Sequence, residues 1–340
     1  MKRLGKYTFT FESAPAILSG AGSVGKAEGE GPLAHEFDFI NENDGVGAST
    51  WEKAEASLVR QAVTLAIDKA RLTPAEIDVA FAGDLLNQCT ASTFGFRELQ
   101  IPLAGLFGAC STFALALFMA ALFVDGGYAK HALAEASSHF CSAEKQFRMP
   151  LEYGGQRPQT AQRTVTGAGA CIVGAKGTGP RIVRGCVGRI TDMDVSDPAN
   201  MGAAMAPAAA ATIGEYLLDT KTVPEDYDLI LTGDLGSVGA ALMRDLLRSD
   251  YGCDPGAVHN DCGLMVFDAK KQDVHAGGSG CGCSAAVFST KILRELSNGT
   301  LSRVLFAGTG ALMSPLTTLQ GESIPCICHA VELAGGERRL

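Results

Sequence analysis

The residues of this 340-residue chain best placed for chemistry start with Cys110, in the string GACST (Gly108 to Thr112), within a run from Ile101 to Val124 that has no charged residue. Strand, tight small-residue turn, cysteine, then helix is the arrangement that holds a nucleophile at a helix N-terminus. There, unpaired N–H groups and the helix dipole favour a thiolate. Burial as a small hydrophobe is the competing fate of a free cysteine, and the local string leaves both open. A glycine-rich loop, AGGSGCGCSA (Ala276 to Ala285), allows close backbone approach to that turn or to a ligand. It is not a phosphate loop, because no Gly-Lys-Ser/Thr follows. The string GAGSVG (Gly20 to Gly25) satisfies G-x-G-x-x-G, but Gly29, Gly31 and Pro32 forbid the helix that a dinucleotide site needs.

Three histidines border polar, turn-like sequence. His139 follows a strand ending in Ser-Ser, where ligands meet parallel sheets; His259 lies in HNDCG, which a simple turn also explains; His275 reads only as loop. Between His139 and Arg163 the cations Lys145, Arg148, Arg157 and Arg163 make a locally basic loop that could attract an anion or simply lie solvated. Cys281/Cys283 and Cys326/Cys328 with His329 raise a metal reading, but structural zinc favours two to four residues between paired cysteines. Alternate cysteines on a last strand are more simply core side chains.

The elements that must position these residues occur twice. PAEIDVAFAGDL (Pro74 to Leu85) and PEDYDLILTGDL (Pro224 to Leu235) align without a gap at a spacing of 150 residues. At a spacing of 171, the Cys110 turn has its counterpart at Cys281, and HALAEASS (His131 to Ser138) matches SRVLFAGT (Ser302 to Thr309). Three echoes in one order argue for a duplicated unit of helix, buried strand and helix. Alternating strands and helices imply mostly parallel sheets, an α/β protein. The halves are expected at 1–190, carrying Cys110, and 191–340, carrying the Gly-rich loop, joined through the polar segment Arg189 to Met201.

The charge-free run is long enough to suggest a membrane span, but Pro102, Gly105, Gly108, Ser111 and Thr112 fill its first half. The expected helix starts near Cys110 and runs about four turns, as a central helix apolar on every side. A net charge of −9 without a long basic run argues against nucleic acid. Eleven cysteines and a start, MKRLGKYTFTFES, without an apolar core suggest free thiols in a reducing, intracellular compartment.

Duplicated halves, a cysteine heading a buried helix and a glycine-rich loop at the matching place in the second half together resemble the thiolase and ketoacyl-synthase superfamily. Within it, EGEGPL, AGDLLNQ, LFGACST, SSH, EYGGQRP, MAPAAA, LTGDL, HNDCGL and GGSGC resemble the stage V sporulation AD family of spore-forming bacteria, from about Gly5 to Val331. The resemblance implies a thiolase-like five-layered αβαβα fold. It also implies binding of pyridine-2,6-dicarboxylic acid (dipicolinic acid) for uptake into the developing spore, beside membrane proteins of the same operon at the spore inner membrane. It implies no cofactor, leaves calcium as a companion of the ligand to be tested, and suggests a homodimer. Condensing enzymes of the superfamily face their cysteine with a histidine at the second-half strand end and with a histidine or asparagine in the Gly-rich loop. Threading puts Gly233 and Cys281 there, so the pocket reads as degenerate, with Cys110 a vestigial nucleophile. The expected ligand-binding set is Cys110, Asn87, His139, Arg148, His259, Asn260 and Cys281. Asp261 would join it only through calcium or a protonated ligand. The alternative is an acyltransferase that carries its acyl group on Cys110.

Overall fold

Small side chains set this architecture, because strands that are small on both faces can be covered by helices from both sides. The computed structural model describes residues 1–147 and 157–335. The first copy contains β1 (Ala16–Val24), α1 (Trp51–Lys69), β2 (Val79–Gly83), β3 (Leu103–Gly105), α2 (Thr112–Asp125), β4 (His131–Ser138), α3 (Phe140–Phe147) and β5 (Gly167–Gly174). The second contains β6 (Arg181–Cys186), α4 (Met201–Thr220), β7 (Leu229–Thr232), α5 (Gly236–Tyr251), β8 (His259–Asp261), α6 (Cys281–Val287), β9 (Arg303–Ala311) and β10 (Cys326–Ala334). Helix α6 continues through a π turn at Phe288–Ile292 into Leu293–Asn298.

The duplication is exact in connectivity. The strand order runs β8-β7-β9-β10-β6 and then β1-β5-β4-β2-β3, so each copy has the same order about a central junction. Arg181 beside Ala16 joins the two into one continuous sheet. The second copy begins at β6, ahead of the Arg189–Met201 segment where the sequence suggests the joint. Pairing is mixed rather than mostly parallel. In each copy the strand after the first helix pairs parallel with both neighbours, whereas the last strand pairs antiparallel on both sides. In each copy the last strand therefore runs opposite to the strand before it in the chain.

Three cores define the layers. One lies between α1 and the first-copy strands, where Leu58, Val59, Ala62, Val63 and Ala66 recur at helical spacing. A second lies between α4, α5 and the second-copy strands. The largest surrounds α2 and α6, between the two sets of strands. Helix α2 spans 14 residues and begins at Thr112 behind a turn at Ala109–Ser111, so the charge-free run is the expected buried central helix. Among the described residues no helix is long and apolar enough to cross a membrane.

The glycine strings serve packing. All of GAGSVG but Gly25 lies within β1, where side chains at Gly20 and Gly22 would strike the helical segment Ala286–Leu293; Gly25 precedes a single helical turn, Lys26–Gly29, where the sequence predicts no helix. Cys326 and Cys328 are buried on one face of β10, and among the described residues no cluster of three histidine, cysteine or acidic side chains is arranged for a metal. A Cβ at Gly310 in β9 would collide with the Gly108 carbonyl of the cysteine turn, whereas one at Gly105 meets no atom within 4 Å. Gly310→Ala is therefore expected to destabilise the fold by about 2 kcal/mol and Gly105→Ala hardly at all, as measured by urea denaturation.

Candidate functional site

The turn before α2 is built to present Cys110. Ala109 sits at φ +49°, a left-handed conformation that costs a non-glycine residue about 1–2 kcal/mol. Three hydrogen bonds hold it: Ser111 Oγ donates to the Gly108 carbonyl (2.6 Å), Thr112 Oγ1 to the Ala109 carbonyl (2.7 Å), and the Gly108 N–H to Thr112 Oγ1 (3.1 Å). Cys110 is 6% exposed and lines a pocket with Leu85, Phe107, Ala143, Phe147 and Met313. The pocket holds about 40 Å³, room for about three waters. Its walls are mostly apolar, and Thr164 and Ser279 add hydroxyls.

Opposite the thiol stands Asp234, on the turn after β7. Its carboxylate accepts the Gly280 N–H (2.8 Å) and the Ser279 hydroxyl (3.2 Å) and lies beside the Cys110 thiol. Gln162 Nε2 ties the two loops by donating to the carbonyls of Asp234 (2.7 Å) and Gly278 (2.8 Å). Burial, followed by the Asp234 charge and hydrogen bond, pushes the Cys110 thiol well above its ordinary range; the Gly280 N–H and Ser279 hydroxyl oppose this and lose. Asp234 is itself pushed up to about 7, first by burial, with Asp261 adding like charge. A base of that strength cannot take a proton from such a thiol. The Gly280 N–H, a backbone donor beside the thiol, is already taken by the carboxylate.

Of the residues expected from sequence, Cys110 and Cys281 lie close together, Cys281 being fully buried with its thiol donating to the Ser137 carbonyl (2.8 Å). Asp261 is an anchor: its oxygens accept from Thr232 Oγ1 (2.6 Å), the Leu235 N–H (2.9 Å) and the Gly236 N–H (3.1 Å), fixing the turn that carries Asp234. His139 is sealed against Trp51; since the Asp44 carbonyl can only accept, Nε2 carries the proton toward it (2.7 Å) while Nδ1 accepts the Cys141 N–H (3.1 Å). His259 bonds Thr232 Oγ1 through Nε2 (3.0 Å), and burial, helped by Arg244, pushes it down to about 4. Asn260 is exposed and accepts the Asp261 N–H. Asn87 borders a separate polar cleft with Glu52 and Lys145. Arg148 lies outside the described residues. The other cations of that loop are engaged: Lys145 with Glu52, Arg157 with Asp273, and Arg163 over the Phe140 ring.

The residue that faces the thiol is thus Asp234, not its neighbour Gly233. The signal was present in the repeat, since Asp84 occupies the same place in the first copy, where it accepts the N–H groups of Leu86 and Ser92.

Fold and site together define a thiolase-like protein. A tetronic acid condensing enzyme superposes with a TM-score of 0.60 at 17% identity, covering 94% of this chain and all of its own. The 3-oxoacyl-[acyl-carrier-protein] synthase III of Aquifex aeolicus gives 0.58 at 14%, covering 94% and 99%; a thiolase of Ascaris suum solved with coenzyme A gives 0.56 at 14%, covering 97% and 100%. These likenesses speak to fold alone. The chain belongs to the stage V sporulation protein AD family: the family's model matches residues 5–334, and the stage V sporulation protein AD of Bacillus subtilis is 45% identical over 338 residues, 99% of either chain.

Asp234→Asn removes the charge that holds the thiol protonated. It is expected to speed alkylation of Cys110 by iodoacetamide at about pH 8 by about tenfold, equivalent to one unit of thiol pKa, as read by peptide mass mapping; an unchanged rate would contradict the pairing. Because Asp234 titrates higher in the fold than in the open chain, its contribution to stability is full below about pH 4 and falls as pH rises toward 7. Denaturation of the Asn variant should lack that part of the slope.

Proposed function

We propose that the protein acts in sporulation by binding dipicolinic acid at the Cys110 pocket, and that the thiolase-like machinery around it no longer performs acyl transfer. The observation that carries this reading is the Asp234 carboxylate lodged between the Cys110 thiol and the Gly280 N–H. It keeps the thiol protonated and occupies a backbone N–H beside it that an oxyanion could otherwise have used. What the pocket retains is a small apolar chamber with hydroxyls of Thr164 and Ser279 at its wall.

Charge decides how such a ligand enters. A free dianion would meet the Asp234 carboxylate, so binding favours either a proton on Asp234 or calcium carried by the ligand, which neutralises its charge. Attachment to the spore inner membrane would run through the membrane proteins of the same operon. Homodimer formation has an available edge in β3, which among the described residues pairs only with β2 and exposes Leu103.

Calorimetric titration with dipicolinate is expected to show saturable binding that strengthens when calcium is added or when pH falls from about 8 to about 6. Filling the chamber by Ala143→Trp should abolish it, and incubation with acyl-coenzyme A should leave Cys110 unmodified by mass. Absence of binding under every condition, or an acyl adduct on Cys110, would overturn the reading, and the adduct would favour an acyltransferase.

A further inference from the structure

Behind the pocket wall lies a buried group of acids with no part in the site described above. Glu55 of α1, Asp84 after β2 and Glu135 of β4 are all fully buried. Asp84 is satisfied as an anion by the N–H groups of Leu86 and Ser92 and by the Ser92 hydroxyl. Glu55 accepts from the hydroxyls of Ser137 (3.1 Å) and Ser142 (2.6 Å). Among the described residues Glu135 has no hydrogen-bond partner on either oxygen. The titratable groups facing the three are each other, Glu52 from α1, and the thiols of Cys89 and Cys281. Lys145, the cation borne by α3, is exposed and paired to Glu52. Carboxylates so placed cannot all be ionised, because removing one from water without a partner costs several kcal/mol, of the order known for buried ions.

Ser142 connects this group to the pocket. It lies on α3, whose neighbouring residues Ala143 and Phe147 form part of the wall around Cys110. Besides Ser142, α3 is tied down by the Lys145–Glu52 pair and by Gln146 Nε2 to the Leu85 carbonyl. Ser142 also lines a polar cleft of about 290 Å³ with Glu52, Asn87 and Lys145, which gives solvent a route toward Glu55. The chamber beside Cys110 is narrow, about 40 Å³, and α3 forms part of its wall.

We propose that Glu55, Asp84 and Glu135 form a proton-loaded latch: with protons on Glu55 and Glu135, α3 is held against α1 and the pocket wall is closed, and release of those protons to solvent sets like charges against one another and loosens α3. The significance for ligand entry rests on the function proposed above; the latch itself does not, and its test uses no ligand.

Hydrogen exchange of the full chain, corrected for intrinsic rates, reads the latch directly. Protection at Ser142 to Phe147 should fall as pH rises from about 4.5, the ordinary value, to about 8, where Glu55 ionises in the closed fold, by about tenfold for each pH unit and proton released, and level off above that, while α2 stays protected. Glu135→Gln, a neutral match in shape, should make that fall shallower, because one proton fewer is released. Ser142→Ala should lower protection at every pH and serves if the glutamine variant folds poorly. Protection that is flat with pH, or a fall made no shallower by Glu135→Gln, would overturn the proposal. So would restoration of protection at high pH by calcium or magnesium chloride alone, since the acids would then be a cation site.

Discussion

The Asp234 carboxylate, held between the Cys110 thiol and the Gly280 N–H, is the contact on which the rest of the site depends. A cysteine at a helix start is ordinarily pushed toward thiolate by the dipole and by unpaired N–H groups. Here burial and an adjacent negative charge outweigh both. The chain supports the contact from three directions: Asp261 fixes the turn that carries Asp234, Gln162 ties that turn to the Gly-rich loop, and Gly310 lets β9 pass under the cysteine turn. Each helps to hold a carboxylate beside the Cys110 thiol.

Duplication explains how such an arrangement arises. Asp84 and Asp234 end equivalent strands and both accept backbone N–H groups. In the first copy the acceptor steadies a short helix beside a buried acid group; in the second it reaches across to the partner loop and meets the thiol. One local motif, a strand ending in Gly-Asp-Leu, thus performs two tasks because different elements pack against it. Both copies leave carboxyls in places poor in cations, so protonation is part of the folded state.

Much of this was legible in the sequence. The echoes at Pro74 and Pro224 located the repeats, small residues before Thr112 set the start of the central helix, and the Cys110 turn could be read from GACST. What was hidden depended on single-residue register or on distant chain. Gly233 and Asp234 differ by one position, yet only one points at the thiol, and no local pattern decides which. His139 looked available until the Asp44 carbonyl, 95 residues away, accepted its Nε2–H. Asp261 reads as a turn residue or a ligand group in HNDCG, and only the arrival of β7 beside β8 makes it an anchor. Antiparallel return of the last strand in each copy escaped because helix and strand periodicity carries no direction.

The most direct measurement is the infrared S–H stretch of Cys110, assigned by its loss in Cys110→Ala. A hydrogen-bonded S–H band that persists from neutral pH to about pH 9 is the predicted result, since the carboxylate keeps the proton on sulfur. Disappearance of that band at neutral pH, marking a thiolate, would contradict the account.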